Sequence, residues 1–289
     1  MFFGKGHSAC YGCPLPIAVR NVLEALDGRC FVVNPTGCLE VTSSQYGRSA
    51  WGVPYIHSTF ENAPSVASGI SYALEVLGRE NEGYVVVFAG DGATADIGVG
   101  YLSSMLHRND NVLYICLDNE AYQNTGNQQS SQTFLGASTT TTPAGRVIPG
   151  KTLRRKDMIA FALAHGTPYV ATSSIAFPRD LRRKAKRAVE FVGSKYIHVH
   201  CPCPTGWHFD PSKTVEVARL AYETALFPIV EFEYGRLVRV KKIKRRKPVE
   251  EYLKVQGRFR HLFKHPEGGR IISELQRIAN ENAMRFGLD

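Results

Sequence analysis

Apolar residues recur at helical spacing over residues 16–26, where Ile17, Val19, Val22, Leu23 and Leu26 gather on or near one face, and a continuous apolar run, Cys30-Phe-Val-Val-Asn34, follows. The same alternation repeats. The pattern predicts helices over 61–77, 97–106, 156–164 and 179–191, and strands over 84–89, 111–117, 168–171 and 196–199. Uninterrupted apolar strands spaced by helices require a parallel sheet covered on both faces, so the expected fold class is doubly wound α/β. From residue 229 the character changes to a β-hairpin near 229–240, then helices around 249–255 and 270–283. The expected division is a main α/β domain over residues 1–228 and a C-terminal arm over 229–289 that contacts other subunits.

Between residues 122 and 151 the periodicity stops and Gln, Ser, Thr and Gly dominate. Composition alone fits a disordered surface loop. A long loop that begins at a strand end inside an α/β domain is, however, uncommon unless it is functional.

With 289 residues and 44% hydrophobic content the chain can bury a sizeable core. The start, Met1-Phe-Phe-Gly-Lys-Gly-His7, has no basic region leading into an apolar one, and the longest apolar runs are too short to span a bilayer. A cytoplasmic protein without a membrane anchor is expected. Seven cysteines, with Cys10 and Cys13 in a CxxC pair, fit metal or redox chemistry in a reducing compartment better than a disulfide framework. The net charge of +9 is concentrated in residues 179–187, which hold six basic side chains, and in Lys241-Lys-Ile-Lys-Arg-Arg-Lys247. Such runs are solvated faces, or they meet nucleic acid, an acidic protein or another subunit; charge alone does not choose.

The run ending at Ala89 leads straight into Gly90-Asp91-Gly92 and a helix. That places the turn at the carboxyl end of a parallel strand, where α/β sheets bind ligands and a helix start offers free amides to phosphate. The GxGxxG dinucleotide fingerprint fails, because Ala95 takes the third glycine position and Asp91 would repel a bare pyrophosphate. A divalent cation between carboxylate and diphosphate removes the conflict. Asn119 stands 28 residues beyond Asp91 at the end of the next strand, so two hard oxygen ligands suited to Mg²⁺ reach the same sheet edge. That spacing matches the thiamine-diphosphate fingerprint; the plainer alternative is a pair of ordinary strand-to-helix turns in which Asp91 caps a helix.

Cys10 and Cys13, Cys38, and Cys203 from Cys201-Pro-Cys-Pro-Thr-Gly-Trp207 make a four-thiolate candidate. Cys30 and Cys116 lie within apolar strands and read as small buried residues. Zinc and an iron–sulfur cluster both accept four cysteines, and spacing does not separate them. A redox cluster gains a purpose once a thiamine-type site shares the chain.

Taken together, Gly6-His-Ser-Ala-Cys-Tyr-Gly-Cys13, Thr36-Gly-Cys-Leu-Glu-Val41, His57-Ser-Thr-Phe-Glu-Asn-Ala63, Gly90-Asp-Gly-Ala-Thr-Ala-Asp-Ile-Gly98, residues 118–126, Pro202-Cys-Pro-Thr-Gly-Trp207 and the stretch 247–258 resemble, in order, the β subunit of pyruvate:ferredoxin oxidoreductases. The resemblance implies a thiamine-diphosphate-binding subunit. It implies Mg²⁺ on Asp91, Asn119 and the Ala121 carbonyl, with Gly90 and Gly92 against the diphosphate and Asn124 beside the reacting centre. It further implies a [4Fe-4S] cluster on Cys10, Cys13, Cys38 and Cys203; Cys201 has no counterpart in the pattern, and Pro14 stands where many members have glycine. The implied reaction is oxidative decarboxylation of a 2-oxoacid, pyruvate foremost, to acyl-CoA and CO₂ with electrons passed to ferredoxin. Related members act on 2-oxoisovalerate, oxalate or an arylglyoxylate. Activity would require α, γ and δ-type partner subunits, ferredoxin and coenzyme A, without nucleic acid or membrane. Two rival readings remain: a non-redox thiamine-dependent decarboxylase, and a zinc protein that grips nucleic acid through residues 241–247.

Overall fold

The computed structural model describes residues 2–289. Its strands are β1 (Cys30–Pro35), β2 (Tyr55–Ser58), β3 (Tyr84–Gly90), β4 (Val112–Asp118), β5 (Tyr169–Ser174), β6 (Lys195–His200), β7 (Val230–Glu233) and β8 (Arg236–Val240). They form one sheet in the order β2-β1-β3-β4-β6-β5-β7-β8. The first six in that order run parallel, and β7 and β8 close one edge antiparallel. The helices are α1 (Leu15–Ala25), α2 (Cys38–Ser43), α3 (Ala63–Val76), α4 (Asp91–Ala95), α5 (Val99–Arg108), α6 (Met158–Ala164), α7 (Pro178–Ala188), α8 (Pro204–Trp207), α9 (Thr214–Glu223), α10 (Val249–Lys254) and α11 (Gly268–Phe286).

Successive residues of β3 alternate between two cores. Val85, Val87 and Ala89 pack on one face with Leu102 and Met105 of α5; Val86 and Phe88 pack on the other with Leu23 of α1 and Leu181 of α7. Both faces of the sheet are therefore covered, which is the physical reason its strands read as unbroken apolar runs. The doubly wound α/β expectation holds.

The segment from residue 229, for which an arm with subunit contacts is expected, packs onto this domain. β7 pairs with β5, a two-residue turn at Tyr234 and Gly235 with positive φ leads into β8, and Ile243, Tyr252, Leu275, Phe286 and Leu288 join the same core as Val85. The stretch between β4 and α6 is ordered by its own contacts, with Phe134, Leu135 and Ala137 buried and Lys151 Nζ donating to the carbonyls of Ser130 (2.9 Å), Ser131 (3.3 Å) and Thr133 (2.7 Å).

The chain passes from β1 outward to β2 and then returns to β3 on the other side of β1. At such a reversal the connections leave the carboxyl ends of β1 and β3 in opposite directions, and a crevice opens between them.

Candidate functional site

That crevice holds a cavity of about 170 Å³ lined by residues from the carboxyl ends of three strands: Thr36 and Gly37 after β1, Gly90 to Ala93 at β3, and Asn119 with Ala121 to Thr125 after β4. Gly90, Asp91, Gly92, Asn119, Ala121 and Asn124, all singled out in the sequence, meet here. Gly92 is needed sterically, since a Cβ there would stand 2.4 Å from the ring of Tyr122. Tyr122 is in turn held by its hydroxyl on Asp96 at 3.1 Å.

The Asn119 side-chain oxygen faces Ala121 O at 2.7 Å and Asp91 Oδ1 at 3.1 Å. Three acceptors turned on one another repel unless the amide rotates to present its NH₂ or a cation stands between them. Adjacent oxygens around an octahedral Mg²⁺, with bonds of about 2.1 Å, lie about 3 Å apart, so the spacing suits the cation. Asn119 has little freedom to drift, because its carbonyl accepts from Trp207 Nε1 at 3.0 Å and Gln123 Nε2 at 3.1 Å.

Asp91 is 1% exposed, and its Oδ2 accepts from Ser130 Oγ at 2.5 Å. Burial, then the nearby charge of Asp118, push its carboxyl well above the usual range. A divalent cation reverses that balance by favouring the carboxylate. Behind Asn119 the charges are compensated within the chain. Asp118 accepts from Arg155 and from His198 Nε2 at 2.7 Å, and Glu120 pairs with Arg258 Nη2 at 2.7 Å and His200 Nε2 at 3.1 Å. Burial opposes ionisation of both, yet Arg155 holds Asp118, and Arg258 holds Glu120, below their ordinary ranges. Glu120 also adopts a left-handed φ of 61°, which turns the chain sharply at the cavity edge.

A second cavity, of about 410 Å³, is lined by Cys10, Cys13, Cys38 and Cys203, and also by Cys201. It shares Leu15, Cys38, Asn119, Gln123 and Asn124 with the first, so the two spaces have a common wall. Cys10 and Cys13 sit on a turn closed by Cys13 N donating to Cys10 O at 3.0 Å. Gly12 within it has φ of 68°, where a Cβ would strike Pro211 O at 2.3 Å. Pro14 caps the start of α1, Cys38 opens α2 and Cys203 precedes α8, its sulfur accepting from Gly206 N at 3.3 Å. Burial pushes the thiols of Cys13 and Cys38 up to about 12, so metal binding there would release protons. Among the described residues no three His, Cys, Asp or Glu side chains are placed to grip a single metal ion. Cys30 and Cys116 are buried within strands away from both cavities.

Several residues of the site were not anticipated. Ser130 and Tyr122 come from the polar stretch after β4, where composition fitted a disordered loop as well as a functional one. Arg155 and Arg258 lie far along the chain from the acids they neutralise. Cys201 carried one signal, its proximity to Cys203. Part of each basic run is paired within the chain: Arg182 with Glu24, Arg183 with Glu231, Arg187 with Glu233, Lys247 with Glu223 and Arg246 with Asp289.

The family model described as thiamine pyrophosphate enzyme, C-terminal TPP binding domain, matches residues 35–199. The chain is 51% identical to pyruvate synthase subunit PorB of Methanosarcina barkeri, over 99% of this chain and 97% of that one. It is 43% identical to ketoisovalerate oxidoreductase subunit VorB of Pyrococcus abyssi, over 91% and 86% respectively. A solved structure of 2-oxoglutarate:ferredoxin oxidoreductase from Magnetococcus marinus superposes with a TM-score of 0.59 at 23% identity, covering 74% of this chain and 77% of that one, a likeness of fold. No helix among the described residues is long and apolar enough to cross a membrane.

Proposed function

The chain belongs to the thiamine-pyrophosphate-binding β subunits of 2-oxoacid:ferredoxin oxidoreductases, and from that premise we propose that its two adjoining cavities hold the diphosphate of the cofactor with Mg²⁺ and a [4Fe-4S] cluster. The observation that carries the reading is the common wall: Asp91, the Asn119 amide and the Ala121 carbonyl grouped at cation spacing on one side of Asn119 and Asn124, four cysteines on the other.

Asp91, Asn119 and the Ala121 carbonyl would hold the cation, which offsets the charge of Asp91 against the diphosphate. Gly90 and Gly92 would let the backbone approach the phosphates, and the amides at the start of α4 would be available to them. Cys10, Cys13, Cys38 and Cys203 would hold the cluster. Thiols arranged around a cavity suit a multi-iron group better than one tetrahedral zinc, whose sulfurs would lie within about 4 Å of one another. When bound, thiamine diphosphate supplies the electron sink for decarboxylating a 2-oxoacid, and the cluster accepts the electrons for ferredoxin. Asn124, in the wall common to both spaces, would hydrogen-bond the substrate. Asp118 and Glu120, fixed by their arginines, keep the Asn119 turn rigid. Phe60, Leu117 and Tyr122 restrict water in the cofactor cavity.

We assign pyruvate as substrate, coenzyme A as acyl acceptor, and α, γ and δ-type subunits as partners in the cytoplasm. The identity to the ketoisovalerate relative makes 2-oxoisovalerate the second substrate to test. The experiment is anaerobic purification of the native complex followed by iron, sulfide, magnesium and thiamine analysis, then assay of 2-oxoacids one by one. About four irons on this chain per thiamine diphosphate are expected. Zinc without thiamine would overturn both cofactor assignments.

A further inference from the structure

The polar stretch after β4 reaches the Asp91 carboxyl from behind through one side chain. Ser130 is 3% exposed and its Oγ donates to Asp91 Oδ2 at 2.5 Å, yet it lines neither of the two cavities. The other carboxyl oxygen, Oδ1, is the one that faces the Asn119 amide at 3.1 Å. Each oxygen of Asp91 therefore has its own neighbour, one within the fold and one at the site. Ser130 is itself held from three directions. Its N–H donates to Thr133 Oγ1 at 2.9 Å, its carbonyl accepts from Lys151 Nζ at 2.9 Å, and its Oγ accepts from Gln132 N at 3.1 Å. Thr133 Oγ1 in turn donates to the carbonyl of Glu120, which ties this stretch to the turn that carries Asn119 and Ala121.

This arrangement bears on which ion fits. Mg²⁺ takes oxygens at about 2.1 Å in a near-ideal octahedron, whereas Ca²⁺ takes more of them at about 2.3–2.6 Å, in looser geometry, and accepts both oxygens of one carboxylate. A carboxylate whose Oδ2 is fixed by a hydroxyl offers Oδ1 alone. With Asp91 ionised the bond from Ser130 is charge-assisted, so it resists the rotation that two-oxygen contact with an ion would need.

We propose that Ser130 is a positioning residue that sets the choice of cation: it holds Asp91 to a single oxygen toward the site and thereby favours Mg²⁺ over Ca²⁺. The inference rests on the cation assignment given above and adds to it the origin of its ion preference. Loss of the hydroxyl frees Oδ2, which gives Ca²⁺ a further ligand and takes from Mg²⁺ the preset orientation of Asp91.

The test uses the native complex, prepared anaerobically and freed of cation and thiamine diphosphate by dialysis against EDTA. It is titrated with MgCl₂ or CaCl₂ at fixed thiamine diphosphate, and the retained thiamine is measured after equilibrium dialysis. In Ser130→Ala the ratio of the Ca²⁺ midpoint to the Mg²⁺ midpoint should fall by about tenfold, the scale on which partners of metal ligands act. Ser130→Gly, which removes the same hydroxyl with less bulk, should match it, and Ser130→Thr, which keeps the hydroxyl, should retain the native ratio. General loosening of the site would weaken both ions alike; an unchanged ratio in the Ala and Gly variants, or a Thr variant that behaves like Ala, would overturn the proposal. A native complex that retains no thiamine with either ion would instead overturn the cation assignment on which it rests.

Discussion

Asp91 and Asp118 end neighbouring parallel strands, and both are closed off from water, yet their charges are handled in opposite ways. Asp118 receives Arg155 and His198, and Glu120 two residues on receives Arg258 and His200, so both acids stay ionised despite burial. Asp91 receives a neutral hydroxyl from Ser130, and burial pushes its proton affinity up. Where the fold itself needs a buried carboxylate, the chain provides the counter-charge. At Asp91 the chain provides no cationic side chain among the described residues, and the proposed Mg²⁺ between Asp91, Asn119 and the Ala121 carbonyl would take that role.

The contrast can be broken most severely at Arg258. Its side chain is 3% exposed and its guanidinium lies 3.6 Å from the centre of the Trp207 ring, so Arg258→Met strands Glu120 without its cation. We expect a loss of about 3–5 kcal/mol in urea unfolding. A loss under about 1 kcal/mol would mean that His200 alone suffices, and the contrast with Asp91 would disappear.

Asp91→Asn should do the reverse. The apoprotein keeps its stability, because no counter-charge is lost and the amide oxygen can still accept from Ser130 Oγ, while affinity for Mg²⁺ and thiamine diphosphate falls by about 100-fold or more, near 2.7 kcal/mol. Cofactor titration followed by tryptophan fluorescence would report the second effect and urea midpoints the first. If the apoprotein were instead strongly destabilised, Asp91 would belong with Asp118 as a structural acid.

The smallest effect tests the same rule on a cation. Lys195, at the amino end of β6, is buried, donates to Asn111 Oδ1 at 2.5 Å and has no carboxylate partner among the described residues. Burial lowers its pKa from 10.5 to about 7. Between those values the unfolded chain binds more protons than the folded one, so stability from this group rises as pH increases from about 7 to about 10.5, with the full penalty present below 7. Lys195→Met should flatten that rise and add about 1–2 kcal/mol at pH 6, read from urea midpoints at pH 6 and 9.

Much of the molecule was legible because its signals are local. β3 and β4 are apolar on both faces, and Gly90-Asp91-Gly92 and Asn119 stand at their ends, so a parallel sheet and the meeting of these residues at one edge follow from neighbours in sequence. The hairpin at β7 and β8 was legible as a hairpin, through Tyr234-Gly235 between strand-forming residues, but its pairing with β5 was not. Nothing in a strand's own sequence states which edge it will join. The role of the basic run at 179–187 stayed open in the sequence for a related reason: Glu24, Glu231 and Glu233, which pair with α7, are distant in the chain.

By itself, then, the amino-acid sequence determined the elements, the ligand-bearing turns and the set of thiols, since periodicity and turn chemistry act over a few residues. Only the tertiary structure decided that Cys201 shares the thiol cavity, that Asn119 and Asn124 stand in a wall between two spaces, and that Arg155 and Arg258 neutralise Asp118 and Glu120 while Asp91 receives only the neutral hydroxyl of Ser130. The physical reason is that Coulomb energy and burial depend on separation in space. A chain that brings Arg258 to 2.7 Å from Glu120 erases a sequence distance that no local pattern records.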